Sequence, residues 1–259
     1  MKIGKRKLSK FFKALTKRHH YESLFFMFLI SFFPFDFFLR YFFGIGNYPK
    51  NVFLRSPVGK LKILVYSYWD VLTVNEIFFR RDYGAKKDIR VVVDLGSNIG
   101  ISALYFLSRN DFVKCYLFEP DPNNIERLKD NLVNFNSRFF LKDSAIDGKE
   151  GFKKFGIDPN GRCGGLNRKS DKYIKVKCLD INKELENIIV KEGRIDILKI
   201  DIEGDEIKIL EFIKKENLLK INTIYFEIDY SFKLNNNFSY YPEIFTFSRR
   251  GETCMLLKK

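Results

Sequence analysis

Three carboxylates in this chain stand where short apolar runs end: Asp94, Glu119 and Asp201. An acid at the C-terminal tip of a buried parallel strand faces the ligand crevice of an open α/β sheet. The first belongs to VVVDLGSNIG, Val91 to Gly100, in which three β-branched residues suit a buried parallel strand. Gly96 and Gly100 bracket a tight turn holding Ser97 and Asn98, and a helix-like segment, Ile101 to Leu107, follows. Glycine lets the backbone pass close to a ligand, and the new helix points free N–H groups into the crevice. Glu119 comes nineteen residues after Gly100, at the end of the run Cys115 to Phe118. There it is placed to accept hydrogen bonds from both hydroxyls of a ribose. Strand, glycine turn, helix and acid-tipped strand describe a nucleoside-binding βαβ unit.

The glycine pattern is D-x-G-x-N-x-G, not the G-x-G-x-x-G of a dinucleotide site. A loop opened by the Asp94 carboxylate is a poor neighbour for pyrophosphate and a good one for an ammonium or sulfonium group. This favours S-adenosylmethionine over NAD. The loop after the third strand, Lys142-Asp143-Ser144-Ala145, edges the adenine ring in such folds, so Asp143 or Ser144 can meet its exocyclic amine. Both are also ordinary turn residues. The cofactor-binding candidates are Asp94, Gly96, Ser97, Asn98, Gly100, Glu119, Pro120, Asp143 and Ser144.

DLGSNIG (Asp94 to Gly100), FEPDP (Phe118 to Pro122) and DILKIDIEGDE (Asp196 to Glu206) together resemble the FkbM-type methyltransferases, over about Ser67 to Ile228. The K-I-D-x-E-G core of the third motif is the most specific to that family. The resemblance implies a class I, S-adenosylmethionine-dependent enzyme, in most members an O-methyltransferase, with carbohydrate or natural-product acceptors. It also implies a doubly wound, mostly parallel, seven-stranded-type Rossmann-like sheet. It leaves the acceptor unidentified.

Methyl transfer to oxygen requires the hydroxyl to be aligned with the methyl group and relieved of its proton. The only histidines are His19 and His20, so strand-tip carboxylates are the available bases. Asp201 is the first catalytic candidate, Glu203 the second and Glu227 the third. Asp201 and Glu203 could alternatively hold a divalent ion, or cap the next helix. Asp205 and Glu206 read as helix-start acids. Four cysteines, Cys115, Cys163, Cys178 and Cys254, show no metal-ligand spacing, and with only two histidines no Cys/His zinc site is expected; a reducing cytoplasm is the simplest setting.

Around these residues the chain reads as alternating strands and helices. Strands are expected at Leu61–Tyr68, Arg138–Leu141, Tyr173–Cys178, Ile195–Ile200 and Thr223–Ile228. Thr73 and Glu76 have capping-box spacing, predicting a helix from Val74 to about Arg81. Asp121-Pro122 and Asp180 mark further helix starts. Residues 147–175 read as a loop or hairpin beside the acceptor pocket. The tail predicts a helix over 242–249 and a last edge strand over 253–257.

The formal charge of +14 is concentrated at one end. Residues 1–20 hold eight Lys or Arg and no acid, against 38 basic and 32 acidic side chains in the other 239 residues. The body lacks the basic, aromatic-interleaved face that nucleic acid requires, and no nucleic-acid partner is expected. Residues 1–48 form a basic and strongly aromatic extension, and 49–259 the methyltransferase domain. The apolar run, Leu24 to Phe35, is short of the about 20 residues of a membrane span and is interrupted by Ser31 and Pro34. Two readings stand open: an arm lying on an anionic membrane surface at the inner face of the cell, or an aromatic layer packed on the body or on a second copy.

The leading reading is a methyltransferase acting on a hydroxyl of a sugar, glycan or lipid-linked acceptor. An NAD-dependent oxidoreductase on a similar sheet and a non-catalytic nucleoside-binding module are the alternatives.

Overall fold

The computed structural model describes residues 2–3, 6–7, 18–158, 164–166, 168–228, 241–250 and 252–259. Phe11, Phe12, Leu15 and Cys163 lie outside them. The chain divides into two compact units, Met1–Gly84 with Ser108–Asp111, and Ala85–Leu107 with Phe112–Lys259. The expected boundary at residue 48 falls inside the first of these.

The first unit opens with a two-residue strand pair, β1 (Lys2–Ile3) and β2 (Arg6–Lys7). Helices α1 (Arg18–Ile30) and α2 (Pro34–Phe43) follow, the second with proline in its first turn. A hairpin of β3 (Lys50–Ser56) and β4 (Gly59–Val65) comes next. Helix α3 (Tyr68–Val74) starts earlier than the Thr73/Glu76 spacing suggested. The working capping box is Ser67 with Asp70, each side chain satisfying the other's backbone N–H. From Asn75 to Phe79 the helix widens into a π-helical turn.

The second unit is built on a seven-stranded sheet. β5 (Val91–Leu95), β6 (Lys114–Phe118) and β7 (Phe139–Lys142) run outward from the middle. They are joined through α4 (Ile101–Leu107) and α5 (Pro122–Leu132). A small three-stranded sheet intervenes, formed by β8 (Ala145–Asp147), β9 (Gly151–Ile157) and β10 (Lys172–Asp180). After α6 (Ile181–Glu192) the chain returns to lay β11 (Ile195–Ile200) beside β5. Helices α7 (Glu206–Phe212) and α8 (Lys215–Leu218) lead to β12 (Ile221–Glu227).

The tail departs from expectation. Residues 242–249 are not one helix: α9 (Tyr241–Ile244) is a single turn, and Phe245–Arg250 forms β13. β14 (Thr253–Lys258) is not the edge, because it lies between β12 and β13. Phe245, Phe247 and Arg249 alternate with Thr246, Ser248 and Arg250, a period of two that fits a strand.

The sheet order is β13-β14-β12-β11-β5-β6-β7, with β14 antiparallel to both of its neighbours. β5 and β11 are buried along their whole length, which explains why both are mostly apolar, with Asp94, Asp196 and Lys199 as the buried exceptions. Asp196 at the foot of β11 accepts the backbone N–H groups of Arg90 and Val91, at 2.7 and 3.0 Å, and sets the register with β5. At the other end the order reverses between β5 and β11. Ligands bind in the crevice at such a switch point.

Candidate active site

The crevice is a cleft of about 640 Å³, open solvent included. It gathers the tips of β5, β6 and β11 with β8, β9 and the loop before α7. Of the residues singled out from sequence, Gly96, Asn98, Glu119, Pro120, Ser144, Asp201 and Glu203 line it. Asp94, Ser97, Gly100, Asp143 and Glu227 do not; Asp143 is exposed, and Glu227 is half-buried at the end of β12.

The glycine turn is held from below. The N–H groups of Gly96 and Ser97 both donate to Phe118 O, at 3.0 and 3.1 Å, and tie the turn to β6. Gly96 has φ +76°, and a Cβ there would stand 1.9 Å from the carbonyl oxygen of Asp201. No other residue fits between the tips of β5 and β11. Asn98 takes φ +48°, a conformation that asparagine tolerates better than most, and its side-chain oxygen accepts the N–H of Ile99 at 2.7 Å.

Glu119 is 4% exposed. Its two oxygens accept the backbone N–H groups of Asn98, at 2.8 Å, and Asp121, at 3.0 Å. The side chain of Asn124 hydrogen-bonds the carboxylate as well, and acceptor capacity remains for a ligand hydroxyl. Burial pushes the carboxyl up to about 7, against the pull of those N–H groups. Asp121 caps α5 through Asn123 N, and Asp180 caps α6, as their positions before helices suggested.

Asp94 differs from the sequence expectation of a carboxylate turned toward a ligand cation. The ammonium against it is the chain's own Lys199, directly opposite in the β5–β11 register. Lys199 Nζ donates to Asp94 Oδ1 at 3.0 Å and to Gly96 O at 3.1 Å, and lies 3.3 Å from Asp201 Oδ2. Ser102 Oγ donates to the other oxygen of Asp94 at 2.5 Å. Burial alone would lower the Lys199 pKa, but Asp94 and Asp201 outweigh it and hold the lysine above its ordinary range. Burial raises the Asp94 carboxyl, with Lys199 and Ser102 opposing.

Asp201 is the outer member of this triad. Its side chain is 31% exposed and lines the cleft. The loop after it is folded over Glu206, which accepts the N–H groups of Ile202 and Gly204 at 3.0 Å. Glu206 is therefore more than a helix-start acid, since it shapes the acidic loop. Glu203 stands at φ +62° and pairs with Arg168 at 3.3 Å. Asp201 and Glu203 thus both face cationic side chains, an arrangement that disfavours a shared divalent ion. Among the described residues no cluster of three His, Cys, Asp or Glu is arranged to hold a metal.

Sequence reasoning missed four contributors. Lys199 was quoted within a motif but given no role; a lysine inside a strand buried on both faces was the available signal. Phe155 and Leu166 wall the cleft from the region read only as a loop or hairpin. Asn124, on the first turns of α5, completes the lining beside Glu119.

The Methyltransferase FkbM domain matches residues 94–252, more than half of the chain. The chain belongs to the FkbM methyltransferase family. Its cofactor is accordingly S-adenosylmethionine. No curated protein matches the FkbM chain. Among solved structures it is similar to a putative caffeoyl-CoA O-methyltransferase from Staphylococcus aureus, with 13% identity, 76% of this chain and 85% of that chain covered, and a TM-score of 0.41. It is similar to a human methyltransferase 10 domain containing protein, with 12% identity, 86% and 91% covered, and a TM-score of 0.41. It is also similar to M. capricolum TrmK in complex with S-adenosyl-homocysteine, with 12% identity, 72% and 68% covered, and a TM-score of 0.40. These likenesses are remote, so the fold rests on the strand order and the activity on the family.

The cleft suits the cofactor. It offers a buried carboxylate with acceptor capacity left for a ligand hydroxyl, and apolar walls at Ile146, Phe155 and Leu166. The oxidoreductase alternative falls with the family match.

Proposed function

We propose that this FkbM enzyme methylates a hydroxyl group of a sugar, glycan or lipid-linked acceptor, with Asp201 as the base. When bound, the cofactor supplies an electrophilic methyl group. The chain supplies the rest. Glu119 receives the ribose hydroxyls; Gly96, Asn98 and Pro120 form the turn around them; Ser144, beside the exposed Asp143, edges the adenine. Asp94 and Ser97 act one step back, through Lys199 and the turn backbone, and Gly100 opens α4.

The observation that carries the base assignment is the position of Asp201. It is part-exposed in the cleft, with its Oδ2 3.3 Å from the buried Lys199 ammonium. Glu203 is the second candidate, held by Arg168, and Glu227 the third. Asp201, Glu203 and Asp205 all line the cleft and offer carboxylate oxygens as acceptors for hydroxyl groups. That favours a neutral polyol over a nucleic acid. A lipid-linked acceptor brings the enzyme to a bilayer surface peripherally, since among the described residues no helix is long and apolar enough to cross one.

The test is transfer of labelled methyl from S-adenosylmethionine to a panel of sugars, glycans and polyprenyl-linked sugars. Asp201→Asn lowers kcat about a hundredfold or more while cofactor affinity stays within about threefold. Activity confined to amine acceptors would overturn O-methylation. Unchanged kcat in Asp201→Asn would move the base to Glu203 or Glu227.

A further inference from the structure

Helix α1 is apolar on the face it turns to solvent. Met27 and Ser23 are buried, Ser23 donating to Asn75 Oδ1 at 2.6 Å, so one side of α1 packs within its own unit. The opposite side carries Tyr21, Phe25, Phe28 and Leu29, spaced at i, i+4, i+7 and i+8, and all are exposed. Helix α2 repeats the arrangement. Phe37 and Tyr41 are buried, whereas Phe35 is 72% exposed and Leu39 45%. The rings of Phe28 and Phe35 meet edge to face at 5.4 Å and join the two outer faces into one patch. A helix packed on a soluble body ordinarily turns its polar side outward. An apolar patch of this extent marks a docking surface.

What docks there is indicated by charge and by length. Residues 1–20, which lead into α1, hold eight Lys or Arg and no acid. Arg55 and Lys60 of the β3–β4 hairpin stand over the ring of Phe32 at 4.7 and 5.2 Å, on the rim of the patch. Asp36, the acid beside Phe35, is neutralised by Arg40 at 3.0 Å. Aromatic rings bordered by basic groups match the boundary between acyl chains and anionic headgroups. Two copies meeting through this face would bring two basic segments together. The 13 residues of α1 extend about 20 Å, short of the about 30 Å hydrocarbon core, so the helix lies on a bilayer rather than through it.

We infer that the outward face of α1 and α2 docks on an anionic lipid bilayer, rings at the headgroup boundary and the basic segment on the headgroups. The sequence offered residues 1–48 as a membrane-surface arm, a basic stretch beside an aromatic one. The exposed rings of α1 and α2 name the residues of the apolar contact. The docking stands apart from the choice of acceptor, because vesicle binding is read without cofactor or acceptor.

The experiment is co-sedimentation of the full chain with vesicles of phosphatidylglycerol and phosphatidylcholine, against vesicles of phosphatidylcholine alone. The wild type partitions to the anionic vesicles and is released by salt. Phe25→Asp with Phe35→Asp lowers partition about a hundredfold, with an unchanged melting curve because both residues are exposed. Replacing Lys5, Lys7, Lys10 and Lys13 by glutamine lowers it as well. Absence of wild-type binding to anionic vesicles, or retained binding in either variant, overturns the proposal. So does a wild-type dimer in light scattering that Phe25→Asp with Phe35→Asp disperses while vesicles bind neither protein.

Discussion

Asp94 and Glu119 end neighbouring parallel strands, and both are buried acids, yet they are satisfied in opposite ways. Asp94 is met by a lysine and a serine hydroxyl, so its charge is cancelled inside the protein. Glu119 is met by two backbone N–H groups and the side-chain amide of Asn124, neutral dipoles that cancel no charge. The difference separates a carboxylate that builds the site from one that serves a ligand. A buried ion pair closes its own electrostatics and holds β5, the turn and β11 together. A carboxylate held only by N–H groups stays costly to ionise until something donates to it.

The comparison breaks most visibly at Lys199. Lys199→Met leaves Asp94 buried without its counter-charge and costs about 3–5 kcal/mol of stability. The loss should largely return in Lys199→Met with Asp94→Asn, because the amide still accepts from Ser102 and carries no charge. Urea denaturation of the wild type and both variants reads this directly. A single variant as stable as the wild type would mean that the pair is only a contact. A double variant no better than the single would place the cost in lost packing.

That pair also shows where sequence reading stops. Val91–Val93 and Ile195–Ile200 were legible as strands because short, mostly apolar, β-branched segments fit a sheet covered on both faces. Asp121 and Asp180 were legible as caps because the signal is local. Glu119 was legible as a cleft residue from its place at a strand tip. Lys199 and Asp94 are separated by 105 residues, and only the β5–β11 register brings them face to face. The α3 start was misread for a local reason, since Thr73 and Glu76 imitate the box that Ser67 and Asp70 form. The β3 strand went unread, and the period-two pattern of β13 was hidden behind the helix signal of Pro242. Phe155 and Leu166 reach the cleft through the small sheet and its neighbouring loop, which no local pattern announces.

Glu119 sharpens the comparison through pH. Its pKa of about 7 lies above the ordinary 4.5, so its contribution to stability is fully present below about 4.5 and is lost as pH rises through about 7. Ribose hydroxyls donate to the ionised form, so binding favours it and draws the pKa down. Affinity for S-adenosylmethionine therefore rises about tenfold between pH 6 and pH 8. Calorimetry in buffers of different ionisation heat should detect proton release on binding near pH 6. Asp94, already paired, contributes no such slope. A flat affinity profile would show that Glu119 is ionised without the ligand and that the contrast with Asp94 is one of geometry alone.

The smallest effect tests whether Asn98 serves Glu119 through its backbone N–H alone. Asn98 gives Glu119 its N–H while holding a left-handed φ of +48°. Asn98→Gly keeps that N–H and the conformation, so cofactor affinity stays within about threefold of wild type. Asn98→Ala pays the left-handed strain and loses the acceptor for the Ile99 N–H, at about 1–2 kcal/mol in stability. If the glycine variant bound as poorly as a Glu119→Ala protein, the asparagine side chain itself would touch the ligand. Glu119 would then be one member of a side-chain pair, nearer in kind to Asp94 than its hydrogen bonds indicate. Equal affinity for the glycine and wild-type proteins, with a lower melting temperature for alanine, keeps the two acids distinct: one met by a charged side chain, the other by neutral N–H donors.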